Sequence, residues 1–472
     1  MRGESSSELV IRARRVLTPS GMRAAEVRVE AGKIISVAEI PDRAGVSSWP
    51  RSVGKDDAAG RSASDARVFV ELGDDEVLLP GLVDTHVHVN EPGRTDWEGF
   101  ATATAAAAAG GVTTIIDMPL NSLPPTVDSS ALEIKRAAAT GRVAVDVGFW
   151  GGAIPGNERQ RRGLHEAGVF GFKCFTVDSG VPEFPPLGDV RLAEAMRQVA
   201  ELGSLLIVHA EDAACIGAAA GSRYADFVRS RPDAAEVAAV SRVIELAEET
   251  GARVHVLHLS SADVVPLLAA AQADGVPITA ETCPHYLTLA AEDVGDGQTQ
   301  FKCCPPIRDA ANRDRLWDAL AGGVISCVVS DHSPCPPEMK RLDTGDFGAA
   351  WGGISSVQLG LPVVWTAAAE RGFSLADVVG WMASSPARLV GLGGKGVIEP
   401  GRDADLVAFA PDERFVVTAD RLLTRHRLTP YLGQELRGAV RKTWLRGVQA
   451  GAGQQAGRLL LADRLFTRES AT

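Results

Sequence analysis

One feature narrows the fold more than any other: from about residue 80 to 393, short apolar strand-like runs alternate with Ala-rich helical stretches. The runs fall at 113–117, 143–147, 171–175, 205–209, 254–258 and 325–329, preceded by the apolar stretch 77–84. Strand–helix units repeated in this way predict an α/β chain and a parallel sheet closed into a (β/α)8 barrel, TIM-like in architecture. The flanks read differently. Residues 8 to 39 look like short strands with turns at Ser20-Gly21 and Ala31-Gly32, and strand-like text returns at 405–409 and 443–445. These pieces predict one small β-sandwich domain built from both chain ends. The expected division is 1–79 and 396–450 for the small domain, 80–395 for the barrel, and 451–472 for a tail. Residues 41–67, rich in Ser, Gly, Asp and Arg, read as a solvent-exposed insertion.

Composition excludes several classes of function. A chain of 472 residues, 45% hydrophobic and 23% charged, is ordinary for a globular protein with one large domain and a smaller one. No apolar run approaches the length of about 18 residues that crosses a bilayer, and the polar start Met1-Arg2-Gly3-Glu4-Ser5 is no signal-peptide core. A cytoplasmic location is expected. Seven cysteines without a CxxC pair fit reduced thiols, not a disulfide framework. A net charge of −12 argues against nucleic acid or anionic membrane as partners.

Chemistry enters where polar residues end the strands. His86 and His88 are two apart, so an extended backbone presents both imidazoles to one face. That pair alone suits either a metal or hydrogen-bonded barrel histidines. However, Lys173, His209, His258 and Asp331 also fall at strand C-terminal ends, the rim on which barrel active sites are built. Lys173, flanked by Phe172, Cys174 and Phe175, is a cation in apolar text and needs an explanation. It is either paired with a barrel carboxylate or lowered in pKa until it reacts with CO2 to give a metal-bridging carbamate. Of His255 and His258, three apart on a strand, only one is expected to face the barrel mouth: His258, with His255 turned to the helix layer.

Together these residues resemble the cyclic amidohydrolases of the amidohydrolase superfamily, the hydantoinases, dihydroorotases and allantoinases. The likeness runs from Gly32-Lys33-Ile34 through Pro80-Gly81-Leu82-Val83-Asp84-Thr85-His86-Val87-His88, Gly171-Phe172-Lys173, Glu281-Thr282-Cys283-Pro284-His285-Tyr286-Leu287 and Ser330-Asp331-His332 to Gly401-Arg402-Asp403-Ala404-Asp405-Leu406. It implies two divalent metals, usually zinc with cobalt or manganese as alternatives. His86, His88 and Asp331 would hold one metal, His209 and His258 the other, with a carboxylated Lys173 across both. It also implies metal-assisted hydrolysis of a cyclic amide, with Asp331 moving the proton, and a homo-oligomer, commonly a tetramer.

Within that group the stretch from Asn90 to Phe100 and Asp117-Met118-Pro119-Leu120-Asn121-Ser122 are most similar to allantoinases, which implies allantoin as the small-molecule substrate and allantoate as product. Asn90 stands where dihydroorotases usually carry an arginine for a substrate carboxylate, which suits an uncharged ring. Asp178 stands where hydantoinases have a tyrosine that stabilises the oxyanion. By resemblance, Asn90, His285, Cys304 and Gly353 are the expected substrate contacts. A hydantoinase or dihydropyrimidinase activity, or a non-catalytic scaffold, are the alternatives.

Overall fold

The computed structural model describes residues 8–40 and 68–462; the expected insertion at 41–67 lies outside the described residues. Both chain ends build one eight-stranded sheet. Its strands are β1 (Leu9–Thr18), β2 (Gly21–Glu30), β3 (Lys33–Glu39), β4 (Val68–Glu71) and β5 (Val77–Pro80) from the first flank. The second flank supplies the last three strands of the chain, Leu406–Val416, Glu435–Leu445 and Val448–Ala450, and the first of these pairs antiparallel with β5. The turn from β2 to β3 passes through Ala31 and Gly32 at φ 48° and 79°. That left-handed pair is the two-residue hairpin geometry that matches strand twist. A Cβ on Gly32 would also meet the Arg446 side chain at 2.9 Å. Alternate residues of these strands, among them Leu9, Ile11, Val27, Val29, Leu78, Leu406, Ala408 and Trp444, share one apolar core.

The barrel strands follow: β6 (Leu82–Val87), β7 (Val112–Asp117), β8 (Asp146–Phe149), β9 (Gly151–Gly152), β10 (Phe172–Phe175), β11 (Leu205–His209), β12 (Arg253–Val256), β13 (Ile278–Thr282) and β14 (Cys327–Val328). All pairings among them are parallel. β8 and β9 act as one stave broken at Trp150, whose N–H donates to Asp117 O at 3.0 Å. Closure comes through His332: it bridges Val87 in parallel, and its carbonyl accepts His88 N–H at 2.7 Å. With β8 and β9 counted as one, that is a ring of eight parallel staves. The near-continuous burial of these strands is what a sheet covered on both faces requires.

One expected strand is displaced. The 143–147 run enters the barrel only from Asp146, because the segment after β16 and β17 (the strands Glu435–Leu445 and Val448–Ala450, with β15 being Leu406–Val416) competes for its backbone. Gly457 N–H donates to Val143 O at 3.0 Å, and Leu460 N–H to Val147 O at 2.8 Å. Part of the expected tail is therefore packed against the barrel.

Asp146 also anchors the joint between barrel and small sheet. Lys395 Nζ donates to Asp146 at 2.8 Å and to Asp405 at 2.6 Å, while Arg446 Nη1 reaches Asp146 at 2.6 Å. Burial disfavours the Lys395 ammonium, but the two carboxylates outweigh it and raise its pKa above the usual range. Removing one partner from such a buried cluster strands the remaining charges. Lys395→Ala is therefore expected to lower unfolding stability by about 3–5 kcal/mol, read as a fall in the urea midpoint by circular dichroism. An unchanged midpoint would show that the joint is dispensable.

Candidate metal centre and substrate cavity

His86 is the penultimate residue of β6 and His88 lies just beyond the strand, with ring centroids 5.5 Å apart. The last stave brings Asp331 to them. Its Oδ1 is 3.1 Å from His86 Nε2 and 3.7 Å from His88 Nε2. His209 ends β11, and its ring stands 4.5 Å from that of His258, which in turn is 5.3 Å from His86. Lys173 sits mid-strand in β10, with Nζ 4.9 Å from the Phe175 ring centroid. No carboxylate lies within ion-pair distance of that amine among the described residues, and Asp331 and Glu281 attract it from further away. A cavity of about 250 Å³ opens here, lined by His88, Lys173, His209, His258 and Asp331, with His86 fully buried beneath.

Backbone geometry turns these side chains inward. His258 and Asp331 take φ of 34° and 43°, a left-handed region uncommon for residues other than glycine. This corrects the expectation for His255. Val254 and Val256 pack in the helix-facing core, so His255 points into the barrel, where Nδ1 bonds Thr279 Oγ1 at 2.7 Å and Nε2 donates to Glu281 at 3.0 Å. The strand ends at Val256, and the turned backbone at His258 resets the alternation, so both histidines face inward at different depths.

Glu281 is the functional residue that sequence reasoning passed over. Its Oε1 accepts His86 Nδ1–H at 2.5 Å and its Oε2 accepts His255, both fully buried. Burial alone would raise its carboxyl; the imidazoles win and hold it at about 2. Glu211 does the same for His209. It accepts Nε2–H at 2.7 Å and is itself gripped by Arg231 at 3.0 and 2.6 Å. Burial is again outweighed, and Glu211 is held at about 2. The Asn121 side-chain amide lies 3.3 Å from His88 Nδ1. The signal available in the sequence was a carboxylate near the C-terminal end of a buried strand, as Glu281 is in β13.

A histidine that donates from one ring nitrogen presents a lone pair at the other. His86 Nε2 lacks an aligned hydrogen-bond partner despite its closeness to Asp331, and His258 Nδ1 is also buried without one. One ligand atom each of His86, His88 and Asp331 lies within 4.8 Å of the other two. Imidazole nitrogens with a carboxylate suit a divalent cation. The Lys173 pKa is lowered by burial to about 8, which enlarges the neutral fraction of its amine. Burial keeps His88 and His258 well below the usual histidine range, hence neutral as ligands must be.

The four expected substrate contacts divide. Cys304 and Gly353 line the cavity. Gly353, at φ 129°, admits no Cβ, which would meet Ser333 O at 2.3 Å. Asn90 and His285 stand behind the lining: Asn90 Nδ2 donates to Pro334 O at 3.2 Å, and His285 packs edge-on against Tyr286 beside Asp331. The turned backbone at Asn90, φ 67°, directs it to the loop after Asp331. Asn121, Asp178, Ser179 and Trp351, none of them expected as contacts, also line the cavity, as do Arg231 and Lys302.

An eight-stave parallel barrel whose strand ends gather imidazoles, a carboxylate and a buried lysine around one cavity defines a metal-dependent hydrolase. The Amidohydrolase family model matches residues 77–450, and the chain belongs to that family. It is 56% identical over 446 residues to an allantoinase of Streptomyces avermitilis, covering 94% of this chain and 95% of that protein. Against an allantoinase of Saccharomyces cerevisiae it is 48% identical over 379 residues, 78% of this chain and 82% of that one. Among solved structures, an L-hydantoinase (dihydropyrimidinase) from Arthrobacter aurescens matches with a TM-score of 0.86 at 30% identity, over 97% of this chain and 100% of that one. The chain is a metal-dependent cyclic amidohydrolase with a small-molecule substrate. Among the described residues no helix is long and apolar enough to cross a membrane.

Glu281→Gln keeps the shape of the residue and removes the charge that fixes His86. Metal affinity measured by chelator competition is expected to fall about 10–100-fold, with the circular dichroism spectrum unchanged. Undiminished affinity would reduce Glu281 to a packing residue.

Proposed function

We infer that this chain hydrolyses the cyclic amide of allantoin to allantoate. The observation that carries the reading is that the gathered His86, His88, Lys173, His209, His258 and Asp331 line or underlie one cavity in a chain 56% identical to an allantoinase. In this reading His86, His88 and Asp331 would hold one divalent ion and His209 and His258 a second, with Lys173, as its CO2-derived carbamate, serving as a ligand to them. Zinc is the first choice, with cobalt or manganese accepted by the same donors. When bound, such ions supply positive charge that acidifies water and polarises a carbonyl.

The chain's own residues do the rest. Burial works against ionisation of Asp331, but His86, His285 and Lys173 hold its carboxyl below the usual carboxylate range, so it is a base at neutral pH. Asp331 takes the proton of the attacking water as the C–O bond forms at the ring carbonyl. It returns that proton to the ring nitrogen as the C–N bond breaks, and the carboxylic acid so formed loses the second water proton to solvent, leaving a carboxylate. Glu281 and Glu211 fix the imidazoles while charge moves. Cys304 and the Gly353 backbone touch the ring, whereas Asn90 and His285 support the site from behind. The reading carries with it a cytoplasmic enzyme and a homotetramer, the second by family resemblance.

Purified protein supplied with zinc or manganese and bicarbonate is expected to hydrolyse allantoin faster than hydantoin, dihydrouracil or dihydroorotate. Preference for another ring would replace the substrate assignment and leave the barrel chemistry in place. Lys173→Ala is expected to lose metal and activity together and to regain part of both when a short carboxylic acid is added. Full activity in that variant would exclude a bridging lysine.

A further inference from the structure

Two polar groups on the cavity lining are used by none of the residues assigned so far. Asp178 accepts the Gly180 N–H on Oδ1 at 3.0 Å, and no cation pairs with its carboxylate among the described residues. The turn that carries it is fixed: Ser179 Oγ donates to Phe184 O at 2.6 Å, and the fully buried Phe184 packs edge-on against Phe175. Trp351 is the second group. Its indole Nε1–H is a buried donor with no partner among the described residues. Its backbone is pinned on both sides, with N–H donating to Met339 O at 2.8 Å and O accepting Lys340 Nζ at 3.0 Å. Both groups line the one cavity, and a Cβ on Gly180, two residues after Asp178, would touch the Cζ3–Cη2 edge of the Trp351 ring at 3.7 Å.

The cations nearby are already engaged. Arg231 gives two hydrogen bonds to Glu211, and Lys302 Nζ donates to Ala350 O at 2.5 Å. The mouth therefore offers one rigid acceptor that carries negative charge and one rigid neutral donor. A ureido group, –NH–CO–NH2, is the planar complement, with N–H donors on one edge and a carbonyl acceptor on the other. Resting on the allantoin reading, we propose that Asp178 and Trp351 form the recognition site for the ureido arm of the substrate: the Asp178 carboxylate accepts the arm's N–H groups and Trp351 Nε1–H donates to its carbonyl oxygen. A ring without that arm leaves the buried Trp351 N–H unpaired and forgoes the contact with Asp178, which is how a site built to bond a polar group rejects an analogue lacking it. The same carboxylate repels a ring bearing its own carboxylate.

The test uses the metal-loaded full chain, with allantoin as the armed ligand and hydantoin as the bare ring. Trp351→Phe and Asp178→Ala are each expected to lower kcat/KM for allantoin about 10–100-fold, mainly through KM. The inhibition constant of hydantoin should change less than about threefold in both, which also reports that the cavity remains folded. Asp178→Asn, which keeps an acceptor oxygen and loses the charge, should fall between wild type and Asp178→Ala and should bind dihydroorotate more tightly than wild type. Equal losses for allantoin and hydantoin, or no loss for allantoin, would overturn the proposal. Calorimetric binding of allantoin to the same variants separates it from the activity reading. Wild type that binds allantoin through these residues without hydrolysing it would retain the recognition site and remove the allantoinase assignment, whereas no binding would remove both.

Discussion

The seam between the first and last staves of the barrel is the contact on which the site depends. Asp84 in β6 accepts His86 N–H at 3.1 Å and Ser330 N–H at 3.2 Å, and two residues further on His88 N–H donates to His332 O at 2.7 Å. Ser330 Oγ and Ser356 Oγ continue the stitching to neighbouring carbonyls. Burial of Asp84 is severe enough to push its carboxyl up to about 6 despite these donors. The seam brings Asp331 within 3.1 Å of His86 Nε2, although the two residues are far apart in the chain. A parallel barrel has no edge strand once closed, so its geometry is set by ring closure and not by any local turn.

What the sequence made legible follows from this. Each stave is short, apolar and bounded by helix text, so the strands and their polar ends could be placed from periodicity, and closure brought His88, Lys173, His209, His258 and Asp331 to one cavity. The partners behind them were not legible. Glu211 bonds its near neighbour His209, but Glu281 and Asn121 act through contacts with residues on other staves, and Glu281 reaches His86 across a separation of 195 positions. No spacing rule links such pairs. His255 was misplaced for a different reason: alternation holds only while the backbone stays extended, and the chain leaves that region before His258. Asn90 and His285 resemble residues of known sites by motif, yet a motif does not say which side of a loop faces the cavity.

Buried charge is distributed so that each group at the centre keeps one task. Glu281 and Glu211 take the hydrogens of the imidazoles, and Arg231 balances Glu211. Lys135 neutralises Asp117 at 2.6 Å, while Asp117 holds Val89 N–H at 2.9 Å and so fixes the loop that follows His88. Each carboxylate is therefore an orienting group already saturated by the protein, and none competes for the cations that the imidazoles would hold. Asp331 is the exception. Its neighbours are the unaligned His86 and the more distant His88, which leaves lone pairs for both a cation and a proton.

The same reasoning explains why the cavity suits a neutral ring. Lys302 and Lys340 are buried cations beside it, but their hydrogens go to backbone carbonyls: Lys302 to Ala350 O, Lys340 to Trp351 O and Gly353 O. Ammonium groups engaged in this way draw the Ala350 to Gly353 backbone inward and close the wall around the ring, without presenting free positive charge to the cavity. A substrate carboxylate entering on this side would meet Asp178, while Arg231, Lys302 and Lys340 are already engaged by Glu211 and backbone carbonyls, and burying an unpaired charge is far costlier than burying an amide. Selection for an uncharged cyclic amide thus follows from where the cations are directed, and it requires no residue whose sole task is exclusion.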